Sequence, residues 1–243
     1  MAVVAAREIR DNDIVFCGTG ISMLAAMAAK HISAPHSTIF FETGAIDSQL
    51  EEVPLAVADP RVMFGAAVIG SLADAFGYMQ NRLTGSRVVG ILGAAQIDPY
   101  GNLNSTVIGD YRKPKVRFSG SGGACEIAIH AHQVFIIMRL KKRAFVETLD
   151  FVSSPGHLDG RPGARARLGM PGSGPQLVVT DKAIFRFGED TGEMYLATVH
   201  PGVTVEEVQE EVSWPLQVAQ DLTVTPPPTP EELRLIRKEL DPG

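Results

Sequence analysis

Asp13-Ile14-Val15-Phe16-Cys17-Gly18-Thr19-Gly20, followed by Ile21-Ser22-Met23-Leu24-Ala25-Ala26-Met27-Ala28-Ala29, joins an unbroken apolar run to a glycine turn and then to a strong helix former. A short run without polar alternation reads as a strand buried on both faces, and residues rich in Ala, Leu and Met favour helix. Strand, tight turn and helix open an α/β unit. Working outward, Thr38-Ile39-Phe40-Phe41, Arg87 to Leu92 and Gln133 to Met138 are further apolar runs, Leu72 to Leu83 reads as helix, and the glycine-rich 119–124 opens a short helical stretch. This alternation predicts an α/β fold: an open, mainly parallel sheet with helices on both faces.

The C-terminal third changes character. Leu177-Val178-Val179, Ala183 to Phe187 and Met194 to Val199 read as antiparallel strands joined by polar turns, giving an antiparallel C-terminal portion. Two helices follow with capping boxes, Thr204 with Glu207 and Thr229 with Glu232, the second with Pro230 in its first turn. Thr225-Pro226-Pro227-Pro228 is a stiff spacer, and Asp241-Pro242-Gly243 stops the last helix. Asp98-Pro99-Tyr100-Gly101-Asn102-Leu103-Asn104 is turn chemistry between two strands. A long acidic loop is expected through Glu51, Glu52 and Asp59, and a long functional or interface loop between Ser153 and Pro175, where Gly and Pro are dense. No internal repeat is visible, and residues 1–243 are expected to form one main domain.

Composition excludes several classes. A net charge of −6 provides no basic stripe for a nucleic acid, although Arg112, Lys113, Lys115 and Arg117 form a local basic run, as do Arg139, Lys141, Lys142 and Arg143. Such runs are either solvated edges or a rim that greets an anionic ligand such as the phosphates of coenzyme A. Cys17 and Cys125 have no paired spacing, which suits a reducing cytoplasm. The charged residues Arg7 to Asp13 break any signal-peptide core, and residues 21–32 are too short and interrupted to span a bilayer, so a cytoplasmic protein without a membrane segment is expected.

Glu42 is the oddest local feature, a carboxylate at the end of a buried strand with Thr43-Gly44 directly behind it. It is either a functional group at the rim of a strand-end crevice, with Gly44 allowing close backbone approach, or a salt-bridged or capping glutamate. Gly18-Thr19-Gly20 resembles a dinucleotide turn, but Met23 stands where the third glycine belongs; a plain strand-to-helix turn is the other reading. Gly120-Ser121-Gly122-Gly123 is either a nest of N–H groups facing an anion or oxyanion, or a flexible loop. His130 and His132 lie near Cys125 and Glu126 in a spacing that fits no structural zinc pattern, so no metal is expected. Neither a Gly-x-Ser-x-Gly elbow nor a Walker A motif occurs.

Three stretches together carry a family resemblance. They are Val15 to Gly20 leading to Phe41-Glu42-Thr43-Gly44; Gly93 to Thr106, containing Asp98-Pro99-Tyr100-Gly101-Asn102-Leu103-Asn104, with Ile108-Gly109-Asp110-Tyr111 behind it; and Arg117 to Ala124, extended by Ser154-Pro155-Gly156 and Gly174 to Asp181. The chain resembles, over nearly its whole length, the β subunits of glutaconate-type family I CoA-transferases. The resemblance implies a homologous α subunit in a hetero-oligomer, acyl-CoA and carboxylic acid substrates, and coenzyme A as substrate with no tightly bound cofactor. It also implies that Glu42 is the nucleophile, passing through a glutamyl-CoA thioester, and that Gly122 and Gly123 face the reacting carbonyl. An acyl-CoA hydrolase, decarboxylase or carbon–carbon-cleaving enzyme on the same scaffold is the alternative, and a non-catalytic ligand sensor on a related sugar-phosphate-binding fold a distant one.

Overall fold

The opening apolar run is a strand with parallel neighbours on both sides. In the computed structural model, which describes residues 1–81 and 87–242, the chain forms two compact units: residues 1–92, 131–137 and 228–243, and residues 93–130 and 138–227. In chain order the first unit begins with helix α1 (Ala2–Glu8), strand β1 (Ile14–Cys17), α2 (Ile21–Ile32), β2 (Thr38–Phe40), β3 (Ala45–Ile46), β4 (Val68–Ile69), α3 (Leu72–Gln80) and β5 (Val88–Leu92). The second unit opens with β6 (Gln96–Ile97), β7 (Leu103–Asn104), β8 (Val107–Gly109), β9 (Pro114–Arg117) and α4 (Ala124–His130). The chain returns to the first unit for β10 (Gln133–Ile137), then gives α5 (Ala164–Arg167), β11 (Pro175–Val179), β12 (Ala183–Phe187), β13 (Met194–Val199), α6 (Val205–Gln209) and β14 (Gln217–Val224) in the second. It ends in the first unit with α7 (Pro230–Arg234) and a π-helical turn, Leu235–Leu240.

The strands of the first unit run β10-β5-β1-β2-β3-β4. β10, β5, β1 and β2 are parallel, with Phe16 beside Gly90 on one flank and Phe40 on the other, while β3 and β4 add an antiparallel edge. The chain steps from β1 to β2 on one side and later to β5 and β10 on the other. Right-handed crossovers along such a path place α2 and α3 on opposite faces, the arrangement the alternation predicts. Burial of Val15, Phe16, Cys17, Ile39, Phe40 and all of β5 follows from cover on both sides, and it pushes the Cys17 thiol up to about 12. Phe16 and Phe40 meet edge to face, ring centres 4.7 Å apart.

Both capping boxes are present, and Glu232 has a second partner. Arg7 Nε of α1 donates to Glu232 Oε1 at 2.8 Å, which ties the N-terminal helix to α7 and holds the Glu232 carboxyl below the usual carboxylate range. α1 is absent from the sequence expectations: its apolar residues Ala2 to Ala6 pack on α2, but seven residues are too few to show a clear period. The expected acidic loop contains β3, β4 and a 3₁₀ turn, Pro60–Met63, capped by Asp59. The helix expected from Leu72 to Leu83 starts at Leu72 on a Ser71–Asp74 capping box and runs to Gln80; Leu83 lies outside the described residues, as does Gly243.

In the second unit β11, β12 and β13 are antiparallel neighbours as expected, with Val178 opposite Phe185 and Phe185 opposite Leu196. β14 is an addition, parallel to β13; it is mostly exposed and lacks a clean apolar alternation, which hides it from pattern reading. The Gly/Pro-rich 153–175 segment is not structureless. It holds α5, and the buried Arg165 guanidinium donates to the carbonyls of Gly172 (2.9 Å), Gly156 (2.8 Å) and Ala128 (2.8 Å); burial lowers its pKa to about 10. The 98–102 turn joins β6 to β7 as expected. At its centre the buried Asn102 side chain donates to Asp98 Oδ2 (2.7 Å) and the Leu158 carbonyl (2.8 Å) and accepts the Gly156 N–H (2.7 Å).

Asn102→Leu keeps the number of side-chain heavy atoms but strands these partners, each of which costs desolvation. The substitution should therefore destabilise the protein by on the order of 3 kcal/mol. A chemical-denaturation midpoint that falls at unchanged slope would show this, and an unchanged midpoint would contradict it.

Candidate active site

Glu42 sits one residue beyond Phe41, at the tip of the β2–β3 hairpin rather than on a strand-to-helix loop. Phe41 N–H donates to the Ala45 carbonyl (3.0 Å) and Gly44 N–H to the Phe41 carbonyl (3.0 Å), closing a three-residue connection with Gly44 at φ +97°. This pattern demands a left-handed residue at its third position, which glycine supplies without strain. A second demand comes from packing. Gly70 N–H donates to the Gly44 carbonyl at 2.9 Å, and a β-carbon at residue 44 would stand 2.2 Å from the Gly70 carbonyl oxygen. The close backbone approach expected of Gly44 is thus made to the chain itself, at Gly70. Behind Gly70, Asp74 accepts from the Ser71 N–H and hydroxyl, both at 2.8 Å, so the start of α3 braces the tip of the hairpin.

The turn leaves Glu42 half-buried, and its carboxylate makes no hydrogen bond or ion pair among the described residues. Lys30, a cation of α2, is engaged by Asp47 at 2.6 Å. The next residue, Thr43, has a buried hydroxyl without a hydrogen-bond partner. Because Phe16 and Phe40 are level in the parallel register, Glu42 lies at the same sheet end as Gly18-Thr19-Gly20. Strand order reverses between β1 and β5, and the crevice outside the carboxyl ends at such a point is where open α/β sheets take ligands. Gly20 precedes α2 at φ +75°, and a β-carbon on Gly18 or Gly20 would meet nothing within 4 Å.

Gly122 and Gly123 stand in the second unit at the entry to α4. Gly122 is exposed at φ +51°, and the Gly123 carbonyl accepts the Ile127 N–H, the first bond of the helix, at 3.0 Å. Among the described residues their own N–H groups donate to no partner. The loop is not slack. Gly120 N–H donates to the Ser105 carbonyl (3.2 Å), Ser105 Oγ donates back to the Gly120 carbonyl (3.0 Å), and Phe118 N–H donates to the Thr106 carbonyl (2.9 Å).

Sequence reading missed what lies beneath that loop. The buried Asn104 side chain accepts the N–H groups of Thr106 (3.0 Å) and Val107 (3.2 Å) and donates to Gln96 Oε1 (2.7 Å), fixing the 105–106 segment on which the glycines rest. The available signal was an amide two residues after Asn102 in a run already marked as a turn. His130 Nε2 lies 3.3 Å from Glu126 Oε2, and among the described residues no group of three His, Cys, Asp or Glu side chains could hold a metal ion. No helix among them is long and apolar enough to cross a membrane.

Gly44→Ala tests the hairpin. The left-handed backbone alone costs a residue with a β-carbon about 1–2 kcal/mol, before the clash with Gly70. We expect a lower thermal midpoint together with amide shifts concentrated at residues 41–45 and 70–71. A parent-like spectrum would show that the turn is not fixed by this contact.

Comparison with known proteins gives consistent relatives. The family described as Coenzyme A transferase matches residues 1–211. The B subunit of glutaconate CoA-transferase from Acidaminococcus fermentans is 44% identical over 245 aligned residues, covering 100% of this chain and 91% of that protein. The B subunit of 3-oxoadipate CoA-transferase from Pseudomonas knackmussii is 40% identical over 238 residues, covering 98% and 90%. Among solved structures, glutaconate coenzyme A-transferase from Acidaminococcus fermentans aligns with a TM-score of 0.94 at 43% identity, covering 100% of this chain and 93% of that one. Rhodococcus jostii IpdAB aligns at 0.77 with 26% identity, covering 99% and 93%. A match of this extent in sequence and backbone alike means that the chain belongs to the coenzyme A transferase family.

Proposed function

We propose that this chain is the catalytic B-type subunit of an acyl-CoA:carboxylate CoA-transferase in which Glu42 carries first the acyl group and then CoA. The observation that carries the reading is the Glu42 carboxylate itself, half-buried and unpaired among the described residues on a turn fixed from both sides. An unpaired carboxylate keeps its lone pairs for attack, and a fixed turn limits the cost of orienting it.

The atoms balance without water. A Glu42 oxygen attacks the thioester carbonyl, the carbon–sulfur bond breaks, and CoA leaves as the thiolate from an acyl-glutamyl anhydride. The thiolate then attacks the Glu42 carbonyl, forming a glutamyl-CoA thioester and releasing the donor acid as carboxylate. An acceptor carboxylate repeats the two steps in reverse, ending with its own CoA thioester and a free Glu42. In this reading the N–H groups of Gly122 and Gly123 stabilise the oxyanion that forms at each attack. Remote binding of the CoA moiety supplies the free energy that a weak nucleophile lacks.

The relatives at 40% and 44% identity are named for 3-oxoadipate and glutaconate, both dicarboxylates, which supports a dicarboxylic acyl group in this reading. Residues 1–243 act as one subunit domain in this reading, with coenzyme A as substrate, no resident cofactor, and the cytoplasm as compartment. An A-type partner completes the site. Support for it comes from relatives named as B subunits and from Met63, Phe64, Val68, Ile69 and Leu72, which are 38–63% exposed along the edge strand β4 and its flanks.

Two measurements test the reading. Incubated with donor acyl-CoA and no acceptor, the hetero-oligomer should gain the mass of CoA on the peptide bearing Glu42, removable by hydroxylamine. Glu42→Gln should abolish both adduct and transfer while still assembling, because an amide oxygen brings no negative charge to the attack. Hydrolysis or decarboxylation that survives Glu42→Gln, with no adduct in the parent, would move the assignment to acyl-CoA cleavage. The second measurement concerns the partner: the purified single chain should show no transferase activity and should self-associate, and co-expression with the A-type partner should reverse both behaviours. Full activity from the single chain would refute the shared site.

A further inference from the structure

One β-hairpin of this acidic chain gathers four cations within six residues. β8 and β9 pair Val107 with Arg117 and Ile108 with Val116, and between residues 112 and 117 they present Arg112, Lys113, Lys115 and Arg117, all exposed, in a protein whose net charge is −6. The acid of the hairpin, Asp110, is committed to its backbone: Oδ1 accepts the N–H groups of Arg112 and Lys113, both at 2.9 Å. Arg117 is engaged as well, its guanidinium 4.5 Å from the centre of the Tyr111 ring and bonded to the Tyr111 carbonyl. Tyr111 in turn stacks on Phe151 at 5.4 Å. Arg112, Lys113 and Lys115 form no ion pair among the described residues. The hairpin is thus pinned by its turn, its ladder and an aromatic stack, and it holds three unneutralised cations on a prepared frame.

Its outgoing strand runs straight into the glycine loop. Phe118 and Gly120 are tied to Thr106 and Ser105 at the foot of the incoming strand, so loop and hairpin share one base. Lys115 precedes Gly122 by seven residues, a separation of at most about 25 Å. CoA has its reacting thiol at one end of a long pantetheine arm and a diphosphate and a 3′-phosphate at the other. Resting on the assignment of Gly122 and Gly123 to the reacting carbonyl, we propose that the β8–β9 hairpin binds the anionic nucleotide end of the CoA substrate, with Arg112, Lys113 and Lys115 taking its phosphates. Cations fixed in advance attract phosphate groups and cost little ordering when the ligand arrives.

The test compares calorimetric binding of CoA and of pantetheine, which lacks the nucleotide, to the hetero-oligomer of this chain with its A-type partner. Arg112→Gln/Lys113→Gln/Lys115→Gln should raise the dissociation constant for CoA roughly tenfold or more, since phosphate contacts to charged donors are worth that much. Pantetheine binding should not change, and the difference between parent and variant should shrink as salt is added. CoA affinity unchanged in the variant overturns the proposal, as does an equal loss for CoA and pantetheine. Loss of assembly in the variant also overturns it, because the hairpin would then be a subunit contact. Failure of the parent complex to bind CoA at all would instead remove the transferase reading on which the proposal rests.

Discussion

The Gly70 carbonyl occupies the place where a β-carbon of residue 44 would stand, and the geometry of the proposed nucleophile follows from that exclusion. With both positions glycine, the tip of the β2–β3 hairpin packs backbone to backbone against the strand that precedes α3. The capping box of Ser71 and Asp74 then ties the contact to a helix. Few other arrangements hold a half-buried glutamate so firmly without giving its carboxylate a partner. A salt bridge would have fixed Glu42 at the expense of its nucleophilicity; a loop would have left it reactive but unplaced. Backbone packing avoids both outcomes because it constrains the chain and leaves the side chain alone.

Much of the first unit was legible because its signals are local. The apolar runs at β1, β2, β5 and β10, the helix former after Gly20 and the capping box of α7 all lie within a few residues of the elements they specify. Elements that depend on distant chain were not. β3 and β4 have two residues each and exist because Ala45 and Ile69 find one another across the 47–67 excursion. β14 is an exposed strand of mixed apolar and polar residues with β13 as its neighbour, and nothing in Gln217–Val224 itself announces that neighbour. The buried Arg165 is indistinguishable in sequence from Arg161 and Arg167 beside it, since only the fold decides which guanidinium meets the carbonyls of Ala128 and Gly156.

The candidate site was legible to the same degree. Glu42 stood out because a carboxylate after a buried strand has no packing reason to be there. Its hairpin setting was invisible, because the residue that fixes the turn lies far along the chain at Gly70. The glycine loop was visible as composition, but its support was not. Asn102 and Asn104 looked like turn formers, and their larger contribution is to satisfy buried backbone groups of the 105–107 and 156–158 segments. Amides that bond several loops together read in sequence only as permissive residues.

Cys17 closes β1 with its thiol buried and its ionisation suppressed. Cys125 is half-exposed in α4, so the two sulfurs differ in access to solvent. An alkylating reagent can reach Cys17 only when the strand array around it opens, because the thiolate is the reactive species and the native environment withholds it. The protein therefore carries an internal clock for the first unit: the rate at which Cys17 is labelled counts the openings of its core, while the half-exposed Cys125 is open to the reagent without such an event.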